Sequence, residues 1–184
     1  ASSTRHSLRK SRPSCRRPLA RSCSPAKLTS QQDADAIIAQ QRRCSVNTLQ
    51  ICDSLEASAY TRLRSAMSGV ALVQVIHVRG ESAIAEALGV APSVDALLLD
   101  SGNPEAVVRE LGGTDRVHDW EISRKIVEAA AVPVFLAGGL NADNVGGAVT
   151  RVSPFGVDLC SGVRTGGKLD AEKLKAFVAA ALGA

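Results

Sequence analysis

Five apolar runs in this chain stop at residues that can do chemistry. "ALLLD" stops at Asp100, "VPVFLAGG" at Gly138 and Gly139, and "GVDLCSG" at Ser161 and Gly162. "VNTLQICD" stops at Cys52 and Asp53, and "VALVQVIH" at His77. A carboxylate beneath four apolar residues is partly desolvated, which raises its pKa and suits a general acid. Paired glycines let the backbone approach a ligand and aim N–H groups at it. A helix opening near Asn141 adds partial positive charge. Two such turns, with Ser161 as a further donor, make a cradle for a phosphate monoester. Plainer readings stay open at this point: two tight turns that hold no ligand, and an ordinary loop carboxylate at Asp100.

Other candidates are less specific. Asp158 lies inside "GVDLC", where alternation puts it either toward the interior or under the helices, and a structural role is as open as a functional one. "LGGTDRVHDW", residues 111–120, is a glycine-rich loop in which Gly112 and Gly113 allow folding over a ligand. Arg116 and His118 reach that ligand or face water, and Trp120, the one tryptophan, packs a helix onto the sheet. His6, His77 and His118 are too few and too scattered for a metal site, so no metal is expected. No Gly-x-Gly-x-x-Gly follows the first strand, which counts against an open sheet that binds a dinucleotide.

These residues need elements to position them. Helical patterns cover 33–43, 54–67 with Ser54 as cap, 81–88, 119–130 with Asp119 as cap, 142–152, and 170–182 with Asp170 as cap. Strand patterns cover 46–52, 70–78, 94–100, 132–138 and 155–162. Five near-continuous apolar strands, each followed by a helix, predict an α/β fold with a parallel, helix-covered sheet. Two architectures fit, an open doubly wound sheet and a (β/α)₈ barrel. In a barrel, all the chemistry-bearing strand ends share one face.

Composition sets the limits. The chain has 184 residues, 45% hydrophobic but only 3% aromatic, so the core is built from Ala, Val, Leu and Ile. Its net charge of +4 is misleading. Residues 1–30 carry eight Lys and Arg and no acid; removing those eight from 22 leaves 14 bases against 18 acids in the rest. The globular part is therefore acidic, which argues against nucleic acid as a partner, and no apolar run approaches the ~20 residues of a membrane span. Residues 1–30 read as a disordered basic tail, and residues 31–184 as the folded domain. The tail has three readings: a transit peptide for a plastid or mitochondrion, a basic arm, or non-native sequence standing in place of the true one. The start at Ala1 fits a processed or incomplete product. Five cysteines without Cys-x-x-Cys spacing point to a reducing, cytoplasmic setting, with Cys160 a small buried hydrophobe.

"DALLLDS", "GGTDRVHDW", "PVFLAGGLNADNV" and "GVDLCSGVRTGGKLD", in that order, resemble the phosphoribosylanthranilate isomerases. The resemblance covers about residues 33–184. It implies a (β/α)₈ TIM barrel without cofactor, and an Amadori rearrangement of N-(5-phosphoribosyl)anthranilate in tryptophan biosynthesis. By position it implies that Asp100 is the general acid. Gly138, Gly139, Ser161 and Gly162 match the phosphate turns, and Gly112, Gly113 and Thr114 match a mobile loop. Asp115 stands where the family usually has glycine. Where the fourth family strand has Gln-Leu-His-Gly, this chain has "QICD", so Gln50 agrees while Cys52 and Asp53 depart.

The resemblance also implies that these five strands are the fourth to the eighth, a barrel truncated to its last five βα units. The family's first strand ends in Lys-Ile-Cys-Gly, whose cysteine is the general base, and no such stretch occurs here. Cys52 mimics that cysteine, but the flanking elements fit the fourth-strand register better. Further candidates are thus Gln50, Cys52 and Asp158. Two functions compete: an isomerase acting on a small phosphosugar, and a non-catalytic remnant that binds phosphosugar or needs a partner chain. The open barrel edges suggest self-association. Indole-glycerol-phosphate synthase and ribulose-phosphate epimerase fit less well, lacking here their strand-end lysines or metal ligands.

Overall fold

A computed structural model describes residues 26–101 and 119–184. Six parallel strands lie side by side in chain order: β1 (Ala26–Thr29), β2 (Thr48–Ile51), β3 (Ala71–His77), β4 (Ala96–Asp100), β5 (Val134–Leu136) and β6 (Gly156–Val157). Helices α1 (Ala34–Cys44), α2 (Ala57–Ala66), α3 (Ser82–Val90), α4 (Trp120–Ala129), α5 (Val145–Val152) and α6 (Ala171–Leu182) follow them in alternation. This is an arc of a (β/α) barrel. Among the described residues β1 pairs only with β2 and β6 only with β5, so both edges are open.

Alternation along each strand divides two cores. Leu49, Ile51, Leu72, Ile76, Leu97, Leu99, Val134 and Leu136 face the helices, against Ile37, Leu63, Ile126 and Val145. Cys52, Val75, Leu98 and Ala137 form a smaller cluster on the opposite, inner face. Register pairs such as His77↔Asp100 and Leu99↔Leu136 keep every C-terminal strand end on one rim. No helix among the described residues is long and apolar enough to cross a membrane.

Several sequence expectations need correction. Ala26–Thr29, read as the end of the tail, is strand β1; its four residues pair in register with Thr48–Ile51 and raise the strand count to six. It is short and half polar, so it shows no apolar run. Ser54 does not cap α2, which starts at Ala57 behind Glu56. Asp119 and Asp170 cap their helices as expected, while Asp33, read as the first residue of its helix, is instead the cap of α1; all three accept from backbone N–H groups two or three residues on. The run 155–162 is a ladder strand only at Gly156–Val157 and then winds into a 3₁₀ turn, Ser161–Val163. A small hairpin was also missed: β7 (Arg164–Thr165) and β8 (Lys168–Leu169) turn on Gly166 and Gly167, both at positive φ, as a tight two-residue hairpin requires.

Candidate active site

A cleft of ≈ 210 Å³ opens on the rim where β4, β5 and β6 end. Asp100, Gly138, Gly139, Asp158 and Ser161 line it, and Gln50 and Leu28 face it from β2 and β1. The sequence-predicted acid and both predicted turns therefore meet in one place. Cys52 is not part of the lining; it sits in the inner-face cluster. Gly112, Gly113, Thr114, Asp115, Arg116 and His118 lie outside the described residues.

Asp100 ends β4 on the inner face and is 7% exposed. Its Oδ1 accepts from the N–H of Ser101 at 2.8 Å, which fixes the carboxylate against its own strand end. The next strand closes around that feature. Gly138, at φ +84°, is so near Ser101 that an added Cβ would stand 2.6 Å from the Ser101 nitrogen. Glycine at 138 is thus demanded by the neighbouring strand end and by its own left-handed backbone, before any ligand is considered. Gly139 is also left-handed, at φ +63°. Among the described residues no acceptor meets the N–H of Gly138 or Gly139.

The expected helix start at residue 142, just after Asn141, lies three residues too early. α5 begins at Val145, and Asn141–Asn144 forms a closed turn. Asn144 Oδ1 accepts from Asn141 N–H at 2.9 Å, and Asn144 Nδ2 donates to the Gly139 carbonyl at 2.9 Å. Asn141 Oδ1 in turn accepts from Asp143 N–H at 2.9 Å. These amides are consumed in shaping the turn, so any anion meets Gly138 and Gly139 rather than the helix terminus. Sequence reading missed Asn144; the Asn-x-x-Asn spacing was its one signal.

Gly162 does not line the cleft. A Cβ there would collide with the Leu140 carbonyl, so the residue is the bearing on which the β6 turn rests against the β5 turn. That contact also explains why the last strand breaks off into a 3₁₀ turn.

Asp158 donates its N–H to the Leu136 carbonyl at 2.9 Å and turns its side chain into the cleft. Desolvation by the surrounding walls, then the charge of Asp100, raise its pKa. Asp158 stays exposed to solvent at the cleft mouth. Cys160 is exposed in the same loop rather than buried as expected, since the turn that follows faces the rim. Burial pushes the Cys52 thiol up, and the charge of Asp53 adds to the effect. His77 Nε2 lies 3.1 Å from the Cys52 carbonyl.

A rim with a buried acid beside two glycine turns is common to several barrel enzymes, and the sequence match narrows it. A sequence model of the N-(5'-phosphoribosyl)anthranilate (PRA) isomerase family matches residues 5–180. The chain belongs to that family. It is 41% identical over 141 residues to N-(5'-phosphoribosyl)anthranilate isomerase of Haloferax volcanii, covering 76% of this chain and 60% of the relative. The chain thus spans less than two thirds of that relative's length. The solved PRA isomerase of Thermotoga maritima superposes with a TM-score of 0.71 at 23% identity, over 88% of this chain and 74% of that one. A PRA isomerase solved in complex with reduced 1-(o-carboxyphenylamino)-1-deoxyribulose 5-phosphate gives a TM-score of 0.68 at 22% identity, over 88% and 72%. These structural likenesses show the barrel fold.

Proposed function

We propose that this chain acts as a phosphoribosylanthranilate isomerase, converting N-(5-phosphoribosyl)anthranilate to 1-(o-carboxyphenylamino)-1-deoxyribulose 5-phosphate. The observation that carries the proposal is the single cleft in which Asp100 faces the Gly138–Gly139 and Ser161 turns. In this reading the Gly138 and Gly139 N–H groups and Ser161 hold the phosphate, and Gly162 keeps the two turns in contact. Asp100 delivers its proton to the ribose ring oxygen as the C1–O bond breaks. The anthranilate nitrogen supplies the electron pair, leaving an iminium. Loss of the C2 proton then gives an enolamine, which tautomerises to the ketone. Gln50 borders the substrate on the β2 side, and Asp158 stands beside the reacting sugar.

The C2 proton needs a base. The family resemblance gives that role to a cysteine in Lys-Ile-Cys-Gly, a stretch this sequence lacks. Cys52 is no substitute, because burial keeps it a thiol and it lies outside the cleft lining. One observation therefore favours a second reading: β1 and β6 do not meet, so the described wall is an open arc. On that reading the chain binds phosphosugar without turning it over, or does so once another segment or chain closes the wall. Association through the open edges is then expected, and sedimentation as a stable monomer would count against it.

The experiment incubates purified chain with phosphoribosylanthranilate, follows the loss of its fluorescence, and measures binding of the reduced product by calorimetry. Turnover with analogue binding supports the isomerase. Analogue binding without turnover selects the second reading. Failure to bind the analogue sinks both.

A further inference from the structure

The helical shell has a seam. α1 packs on α2, α3 on α4, α4 on α5, and α5 on α6, but a cavity of ≈ 170 Å³ separates α2 from α3. Surface ion pairs fall along the same division. Arg62 on α2 binds Asp35 on α1 at 2.6 Å, and Lys125 on α4 binds Glu81, just before α3, at 2.7 Å. At one end Arg64 bridges the seam, donating to the Ser93 carbonyl at 3.2 Å and to Asp95 at 2.7 Å. Arg64 thus ties one end of the seam.

The cavity is built like a small-molecule site. Leu55 and Val90 supply apolar walls, the fully buried Ile76 lies behind them, and Tyr60 donates its hydroxyl to Gln74 Oε1 at 2.6 Å at the floor. Tyr60 and Gln74 are 4% and 2% exposed. Glu86 sits at the mouth. Its charge reaches Tyr60, whose hydroxyl is pushed up to about 12, mainly by burial. No cation among the described residues pairs with Glu86. The volume is comparable to cavities of roughly 150 Å³ that admit a benzene ring.

We propose that the α2–α3 seam binds a small cationic amphiphile: a flat apolar body against Leu55 and Val90, with a primary ammonium against Glu86. Glu86 is exposed at the mouth and carries no partner cation among the described residues, so it attracts an ammonium and repels an anionic analogue. Gln74 and Ile76 point to the helix side of the sheet, away from the rim cleft, so this site stands apart from the proposed isomerase chemistry.

The test titrates phenethylamine and phenylacetate separately into the full chain by calorimetry. Phenethylamine binds saturably at one site, and phenylacetate binds at least ~tenfold more weakly, a difference of about 1.4 kcal/mol. Glu86→Gln weakens the amine by about tenfold and brings the two probes together. Gly89→Leu abolishes binding: Gly89 lines the cavity, and a Cβ there meets nothing within 4 Å. Leucine is also the better helix former, so the variant keeps its thermal midpoint. Absence of saturable amine binding, survival of binding in Gly89→Leu, or equal affinity for phenylacetate would each overturn the proposal.

Discussion

The two halves of the rim are held in place by different means. On the β4–β6 side the holding is done by the main chain, through one backbone N–H on a carboxylate and two close approaches at glycines. Ser101 pins Asp100, Gly138 fits under Ser101, and Gly162 seats on Leu140. On the β1–β3 side side chains do the holding. Cys52 and Val75 pack with Leu98 and Ala137, and Gln74 Nε2 donates to the Asp53 carbonyl at 3.2 Å. The difference teaches where tolerance lies. A backbone lock accepts one residue type, whereas a packed side chain accepts others of similar volume.

Breaking the lock side should cost most. Asp100→Asn lowers any turnover by about 10²–10⁴-fold, while the reduced product still binds; the fluorescence assay and calorimetry check both halves of that statement. Survival of activity in this variant would remove the acid from Asp100. Gly162→Ala forces the Leu140 carbonyl to move, costs about 2–4 kcal/mol in urea unfolding, and weakens the analogue. Tyr60→Phe, on the packed side, leaves Gln74 without its donor and costs about 1–2 kcal/mol by the same measurement. Cys52→Ala costs about 1 kcal/mol and leaves analogue binding unchanged. If it instead removes binding, the contrast between the two halves fails.

Asp158 sharpens the contrast through pH. Its folded pKa is raised above 3.8, first by desolvation and then by Asp100, so the folded chain holds the proton more tightly than the unfolded chain. Stability is full below about 3.8 and declines as pH rises through the folded value. Asp158→Asn therefore raises the thermal midpoint at pH 7 and leaves it unchanged at pH 3. A midpoint insensitive to the substitution at both values would show that Asp158 does not feel its neighbour.

Much of this was legible in the residues. The apolar strands and the Asp caps of α4 and α6 follow from period and capping chemistry, and the rim from the parallel order those strands impose. Asp100 and the paired glycines stood out because a polar or glycine residue closes an apolar run. β1 was hidden because four residues with one inward leucine carry no alternation to detect. The reason for glycine at 138 and 162 was hidden too, since both answer to Ser101 and Leu140, partners from other loops that no local window contains. Asn144 acts by holding Gly139 from five residues away, beyond any turn signature that was weighed.

The seat of Gly162 on the Leu140 carbonyl has an evolutionary side. Neither loop can be lengthened or re-aimed without the other following, so insertions that would enlarge the ligand must arise elsewhere on the rim. Variation among descendants of this sequence should therefore gather around β1 to β3 and leave the Gly138 and Gly162 loops at fixed length.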